Sequence, residues 1–177
     1  TKMIQNHKKF NRDVIFAGGA WIWHGFCPNF EKTFDTMCPA LDACKEEDVK
    51  NIICCLWGDD GAEVNPFTML PGVQLFAEYA YNDSADTNVL SNSFKLCQGL
   101  DIDDFYVLGM NEIPIEKDVI GTTKQLLYQD ILIDIFDKNF ECFDLKNWYV
   151  NVSERLEKIG DMAELNEIYD FYRSLVP

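Results

Sequence analysis

The chain has 177 residues, 47% of them hydrophobic and 14% aromatic, and a formal net charge of −15. This is the composition of a globular protein with a real core, in one large domain or two small ones, and it excludes a disordered chain. The acidic balance excludes the clustered Lys and Arg by which proteins grip nucleic acid or anionic membranes, and no run of eighteen apolar residues offers a membrane span.

In chain order, Met3, Ile4, His7 and Phe10 lie near one face of an expected helix, which Asn11-Arg12-Asp13 breaks. Val14–Trp21 is an apolar run without alternation, the pattern of a strand buried on both faces. Phe34, Met37, Cys38, Leu41 and Cys44 then recur at helical spacing, and Asn51–Trp57 reads as a second doubly apolar strand. A further helix is expected from about Pro66 through Ala80, with a kink or short break at Pro39 and at Pro71. About thirty residues separate the two strands, enough for a right-handed crossover that makes them parallel neighbours.

Asn82–Asn88 is small and polar and reads as a linker, so residues 1–82 are expected to be α/β and residues 83–177 an α-helical domain. Helices are expected there around Phe94–Leu100, Asp103–Leu108 (capped by the acids from Asp101), Thr123–Phe136, Val150–Leu156 and Glu164–Leu175. The seven cysteines, at 27, 38, 44, 54, 55, 97 and 142, contain no C-x-x-C pair and read as reduced, mostly buried core residues. Reduced thiols of this kind suit a reducing compartment, so the expected location is cytoplasmic.

In parallel α/β folds, ligands meet the loops that follow the strands. The first strand delivers Trp21-Ile22-Trp23-His24-Gly25-Phe26, and the second delivers Trp57-Gly58-Asp59-Asp60-Gly61-Ala62-Glu63. Tryptophan beside carboxylate suits carbohydrate, because the C–H face of a pyranose packs on an indole while a carboxylate accepts hydrogen bonds from neighbouring hydroxyls. Gly18-Gly19 does not form the G-x-G-x-x-G dinucleotide pattern, and Asp59-Asp60-Gly61 lacks the alternating acids of a calcium loop. No cofactor and no metal are therefore expected. His24 is expected to be a hydrogen-bonded loop residue, and Asp60 and Glu63 to cap the following helix.

The blocks Phe16–Trp23 and Leu56–Glu63, with the spacer to Cys44-Lys45, resemble glycoside hydrolase family 20, the β-N-acetylhexosaminidases, in its bacterial exo-acting branch. Thr123–Asp130, followed by Phe136-Asp137, resembles the family's C-terminal helical segment. The resemblance implies strands seven and eight of a (β/α)8 TIM barrel in residues 1–82, followed by the helical C-terminal domain. It implies Trp57 as the aromatic wall of the sugar subsite and Asp59 as partner of the sugar hydroxyls, although many relatives carry Glu where Asp59 stands. Of Trp21 and Trp23, which alternate on the expected strand, one would face the pocket, and Trp21 is the preferred one. The family's reaction is substrate-assisted: the substrate's acetamido oxygen attacks the anomeric carbon. Its catalytic Asp-Glu pair belongs at the end of strand four, so the resemblance places it upstream of this chain, and no catalytic residue is assigned here.

The expectation is thus the C-terminal piece of an exo-β-N-acetylhexosaminidase acting on terminal N-acetylglucosamine or N-acetylgalactosamine, inactive by itself. Its partner would be an N-acetylhexosamine-containing glycan, and exposed barrel strands could lead to self-association. Two other readings stand beside it: a non-catalytic helical interaction module, and a divalent-metal hydrolase using Asp59, Asp60 and Glu63.

Overall fold

The computed structural model describes residues 1–82, 85–115, 121–159 and 166–174. Asp83 and Ser84 of the expected linker, and Glu164, Leu165 and Leu175 of the last expected helix, lie outside the described residues. Among the described residues the fold is mostly helical, with one parallel sheet of two strands. The chain divides into two compact units: Thr1–Trp21, Asn29–Trp57 and Met69–Ile102 form a strand unit, while Ile22–Pro28, Gly58–Thr68 and Asp103–Pro177 form a helical unit.

The strand unit holds α1 (Lys2–Lys8), β1 (Ile15–Gly19), α2 (Phe30–Glu46), β2 (Asn51–Cys55), α3 (Leu70–Tyr81) and α4 (Thr87–Gln98). β1 and β2 pair in parallel, Ile15 opposite Asn51 and Gly19 opposite Cys55, with α2 as the crossover. Asn29 caps α2 by accepting from the Lys32 N–H at 2.9 Å, and Glu31 in the first turn and Lys45 in the last suit the helix dipole. Pro39 sits inside α2 without ending it, whereas Pro71 stands in the first turn of α3, directly after a 3-10 turn over Pro66–Met69, where a missing N–H is tolerated. The break expected at Pro71 is present; the assigned helix runs through Pro39.

The core of this unit is Leu41, Leu75, Phe76 and Tyr79, with Phe16, Ile52 and Cys54 of the sheet packed against it. The Tyr79 hydroxyl keeps a partner by donating to Asp42 Oδ1 at 2.9 Å. β1 approaches so closely that a Cβ on Gly18 would stand 2.7 Å from Met37 Sδ and 2.9 Å from Phe76 Cζ. The opposite face is not buried: Ile15 is 61% and Ile53 52% exposed, and Ala17 between them is exposed too. This corrects the expectation of strands buried on both faces, and the reason is that α2 and α3 cover one face only. α1 likewise buries no residue, and Met3 and Phe10 are exposed.

The helical unit holds α5 (Ile102–Gly109), α6 (Thr122–Tyr128), α7 (Leu145–Ile159) and α8 (Asn166–Ser174). Its core gathers Ile113, Phe140 and Tyr149, with Leu126, Phe136 and Trp148 against them. The helix expected over Thr123–Phe136 is shorter: α6 ends at Tyr128, and Gln129 is extended. The physical reason is local. Asp130 Oδ1 accepts the Leu132 N–H at 2.8 Å, an Asx turn that competes with helix continuation. Consequently Ile131 and Ile135, expected on the apolar face of that helix with Leu126 and Leu127, are 87% and 63% exposed.

All seven cysteines are free thiols; Cys27 and Cys44 are buried, but Cys97 and Cys142 are exposed, against the expectation for most of the set. Burial and neighbouring Cys55 push Cys54 up to about 11, as befits an unreactive core thiol. Among the described residues no helix is long and apolar enough to cross a membrane.

Candidate functional site

Both segments that follow the strands, Ile22–Pro28 and Gly58–Thr68, belong to the helical unit. The strands themselves end earlier than the apolar runs suggest, at Gly19 and Cys55, with one further bond from the Ala20 N–H to the Cys55 carbonyl at 2.9 Å. Trp21 therefore lies beyond β1, half-buried in the strand unit. Its N–H donates to Thr33 Oγ1 and its carbonyl accepts from the Asn29 N–H, both at 2.9 Å, and Lys32 Nζ stands 5.4 Å from its ring. Trp23 falls in the helical unit, its ring 6.3 Å from that of His24. Alternation along a strand thus does not apply to Trp21 and Trp23. Trp57 ends the second stretch of the strand unit and is 42% exposed, and Asp59 is exposed at the start of the next segment.

In Gly58–Thr68 the backbone turns through three successive left-handed residues, Asp60 at φ 59°, Gly61 at 108° and Ala62 at 56°. Non-glycine residues there cost on the order of 1–3 kcal/mol each, so the surroundings must hold them. The holder is Lys124 on α6. Its Nζ donates to the Asp60 carbonyl at 2.6 Å and to both Glu63 carboxylate oxygens at 2.9 and 3.1 Å, with Asp60 Oδ2 3.6 Å away. Partial burial pulls the Lys124 ammonium down, but the hydrogen bond and charge of Glu63, with those of Asp60, outweigh it and hold the group above its ordinary value. His24, itself at φ 78°, places Nδ1 3.8 Å from Asp60 Oδ2, an ion pair when the imidazole is protonated.

Asp60 and Glu63 therefore do not cap the next helix, as the sequence suggested. That service falls to Asn65, whose Oδ1 accepts the Phe67 N–H at 3.0 Å, and α3 itself has no side-chain cap. Once Asp60 and Glu63 are paired with Lys124, Asp59 is the exposed carboxylate of the segment that stands outside the ion pairs of the described residues.

The segment after β1 is fixed by a second carboxylate, Glu112, between α5 and α6. Its Oε1 accepts the Thr122 N–H at 2.6 Å, and its Oε2 stands 3.8 Å from Cys27 Sγ. A Cβ on Gly25 would stand 3.2 Å from the same oxygen. Burial raises the Glu112 carboxyl and pushes the Cys27 thiol well up, with the Glu112 charge adding to the latter. Beside it, Gly121 has φ 72°, and a Cβ there would lie 2.2 Å from the His24 carbonyl oxygen, so only glycine fits.

Glu112, Cys27 and Lys124 were not among the residues singled out for a role. Glu112 is a lone acid with no motif around it, and its partners are distant in sequence. Lys124 lies inside the block Thr123–Asp130, but nothing in that block signals a partner 61 residues upstream. Among the described residues no three His, Cys, Asp or Glu side chains converge as a metal-binding set.

Residues 103–177 match the family model described as the Glycoside Hydrolase 20C C-terminal domain. This part of the chain is therefore similar to the C-terminal domain of glycoside hydrolase family 20. It contains α6–α8 and all of α5 but its first residue, and with them Glu112 and Lys124, the residues that hold the two strand-end segments. No curated protein matches the chain.

Proposed function

We propose that this chain is the C-terminal portion of a glycoside hydrolase of family 20, an exo-β-N-acetylhexosaminidase, and that its strand-end segments supply part of the sugar subsite. The observation that carries the proposal is the family match over residues 103–177. In this reading β1 and β2 are strands seven and eight of the (β/α)8 barrel, Trp57 and Trp21 offer indole surface to a pyranose, and Asp59 accepts from its hydroxyls.

Two further features support it. The face of the sheet carrying Ile15, Ala17 and Ile53 is apolar yet uncovered, as expected of strands whose remaining neighbours are further barrel strands. Beside β2 an open groove of about 530 Å³ is lined by Ile52 and Cys54 of the strand and Val73, Phe76 and Ala77 of α3, a seat for another β/α layer. The same uncovered surfaces would drive self-association of the isolated chain.

In a substrate-assisted reaction the enzyme contributes no nucleophile. The acetamido oxygen attacks the anomeric carbon while an acid protonates the leaving oxygen, and the catalytic Asp-Glu pair lies upstream of this chain. The role left to Asp59 is to fix the non-reducing sugar in the orientation that permits this attack. Asp59→Asn in the full-length protein keeps the shape and removes the charge. The expected result is a fall in kcat/KM on N-acetylglucosaminides, of about 1.5–3 kcal/mol for a charge-assisted hydrogen bond. An unchanged kcat/KM would refute the assignment.

A divalent-metal site on Asp59, Asp60 and Glu63 is disfavoured by the Lys124 ammonium, which already binds both oxygens of Glu63.

A further inference from the structure

We propose that Lys124 is a positioning residue for the sugar subsite: it locks both strand-end segments of the helical unit and so holds Asp59 where the substrate hydroxyls need it. This rests on the subsite reading above and adds to it a role for the helical domain.

Little else holds Gly58–Glu63. Residues 58–64 lie outside every strand and helix and have a single turn, at Asp60–Gly61. Asp60 and Gly61 suit the positive φ of that turn, but Ala62 is also held at φ 56°, where a Cβ is unfavourable. A left-handed run of this kind persists only where contacts over-determine it. Lys124 makes those contacts from one point. Its ammonium has three donors and no acceptor, which suits it to a cage of one carbonyl and two carboxylate oxygens, and that is the set it meets in Asp60 and Glu63.

The same ammonium stands 5.8 Å from the centroid of the Phe26 ring, in the segment after β1. Phe26 is buried and meets Tyr128, at the end of α6, edge to face at 5.3 Å. Lys124 therefore reaches both strand-end segments from one short helix, and its side chain is only 18% exposed. Asp59 is bonded directly to the clamped residue. Release of the Asp60 carbonyl frees the Asp60–Gly61 peptide unit to rotate and Asp60 to leave the left-handed region, and the adjoining Asp59 carboxylate moves with it. Lys124 touches no substrate in this scheme; it acts through Asp60.

The test has two arms. In the 177-residue chain, Lys124→Met is expected to lower the backbone NMR order parameters of residues 59–63 to those of a flexible loop while those of α7 stay high. Unchanged order parameters at 59–63 would overturn the clamp. In the full-length protein, Lys124→Met is expected to raise KM for an N-acetylglucosaminide by roughly tenfold, with kcat less affected, within the hundredfold that a 1 Å misplacement can cost. Lys124→Arg, which keeps the charge, is expected to restore most of the loss.

Asp59→Asn, measured beside it, separates the two ways of failing. A silent Lys124→Met next to a damaged Asp59→Asn overturns the positioning role alone. If both are silent, the subsite reading falls and the positioning role with it. Should Lys124→Met fold poorly, Glu63→Gln removes the charge opposite the ammonium and carries the same measurements with the same outcomes.

Discussion

Gly121 and Gly99 make a matched pair for testing how tightly α6 is set against the segment after β1. Both have left-handed backbones, at φ 72° and 73°. Alanine at either position carries the conformational cost of that region, about 1–2 kcal/mol for an L-residue. At Gly99 nothing lies within 4 Å of the added Cβ, so this term stands alone. At Gly121 the Cβ would lie 2.2 Å from the backbone oxygen of His24, which cannot swing aside as a side chain could. Overpacking of that kind adds about 1–3 kcal/mol. Gly121→Ala should therefore lose about 2–5 kcal/mol and Gly99→Ala about 1–2 kcal/mol. Equilibrium urea unfolding followed by far-UV circular dichroism measures both. Because the two glycines lie in different units, hydrogen exchange assigns each loss to its unit. Equal losses would refute the close approach of Gly121 to His24.

The buried Glu112 carboxyl and the packed Gly18 give two more tests. Burial holds Glu112 above its ordinary 4.5, so its contribution to stability is fully present below the unfolded value and is lost as pH rises through the higher folded value. Glu112→Gln, which cannot ionise, should be more stable than the parent at neutral pH and lose that advantage as pH falls below 4.5; a pH-independent difference in denaturant midpoints would contradict this. Gly18→Ala should cost about 1–3 kcal/mol by overpacking against Met37 and Phe76, and Met37→Ala should return part of it; strict additivity in that double-mutant cycle would show that the two side chains do not meet.

The elements of the first half were legible because their signals are local. Apolar runs marked β1 and β2, helical spacing marked α2, and a crossover of the right length gave the parallel pairing. The strand ends were not legible, because Ala20–Trp21 and Leu56–Trp57 are as apolar as the strands they continue, and what ends a ladder is loss of the partner. One-sided burial was equally hidden: Ile15 and Ile53 look like core residues until the covering layers are counted. In the second half Thr123–Phe136 had the right periodicity, but the Asp130 Asx turn stopped the helix, a competition that pattern alone does not decide.

The acids after β2 show where sequence reading of a site runs out. Asp59, Asp60 and Glu63 are near neighbours with one chemistry, and proximity suggests one task. The structure separates them through a residue far along the chain: Lys124 takes Asp60 and Glu63 and leaves Asp59 outside the pairing. A cage of opposite charge also sets the conditions under which the arrangement lasts. Desolvation works against the ammonium, yet Glu63 and Asp60 prevail and hold it above 10.5. Its contribution is therefore fully present below that value and is lost only as pH rises through the folded one. The lysine stays charged across neutral pH, so a pH profile of the site in that range reports other groups, and the clamp acts on it as a constant.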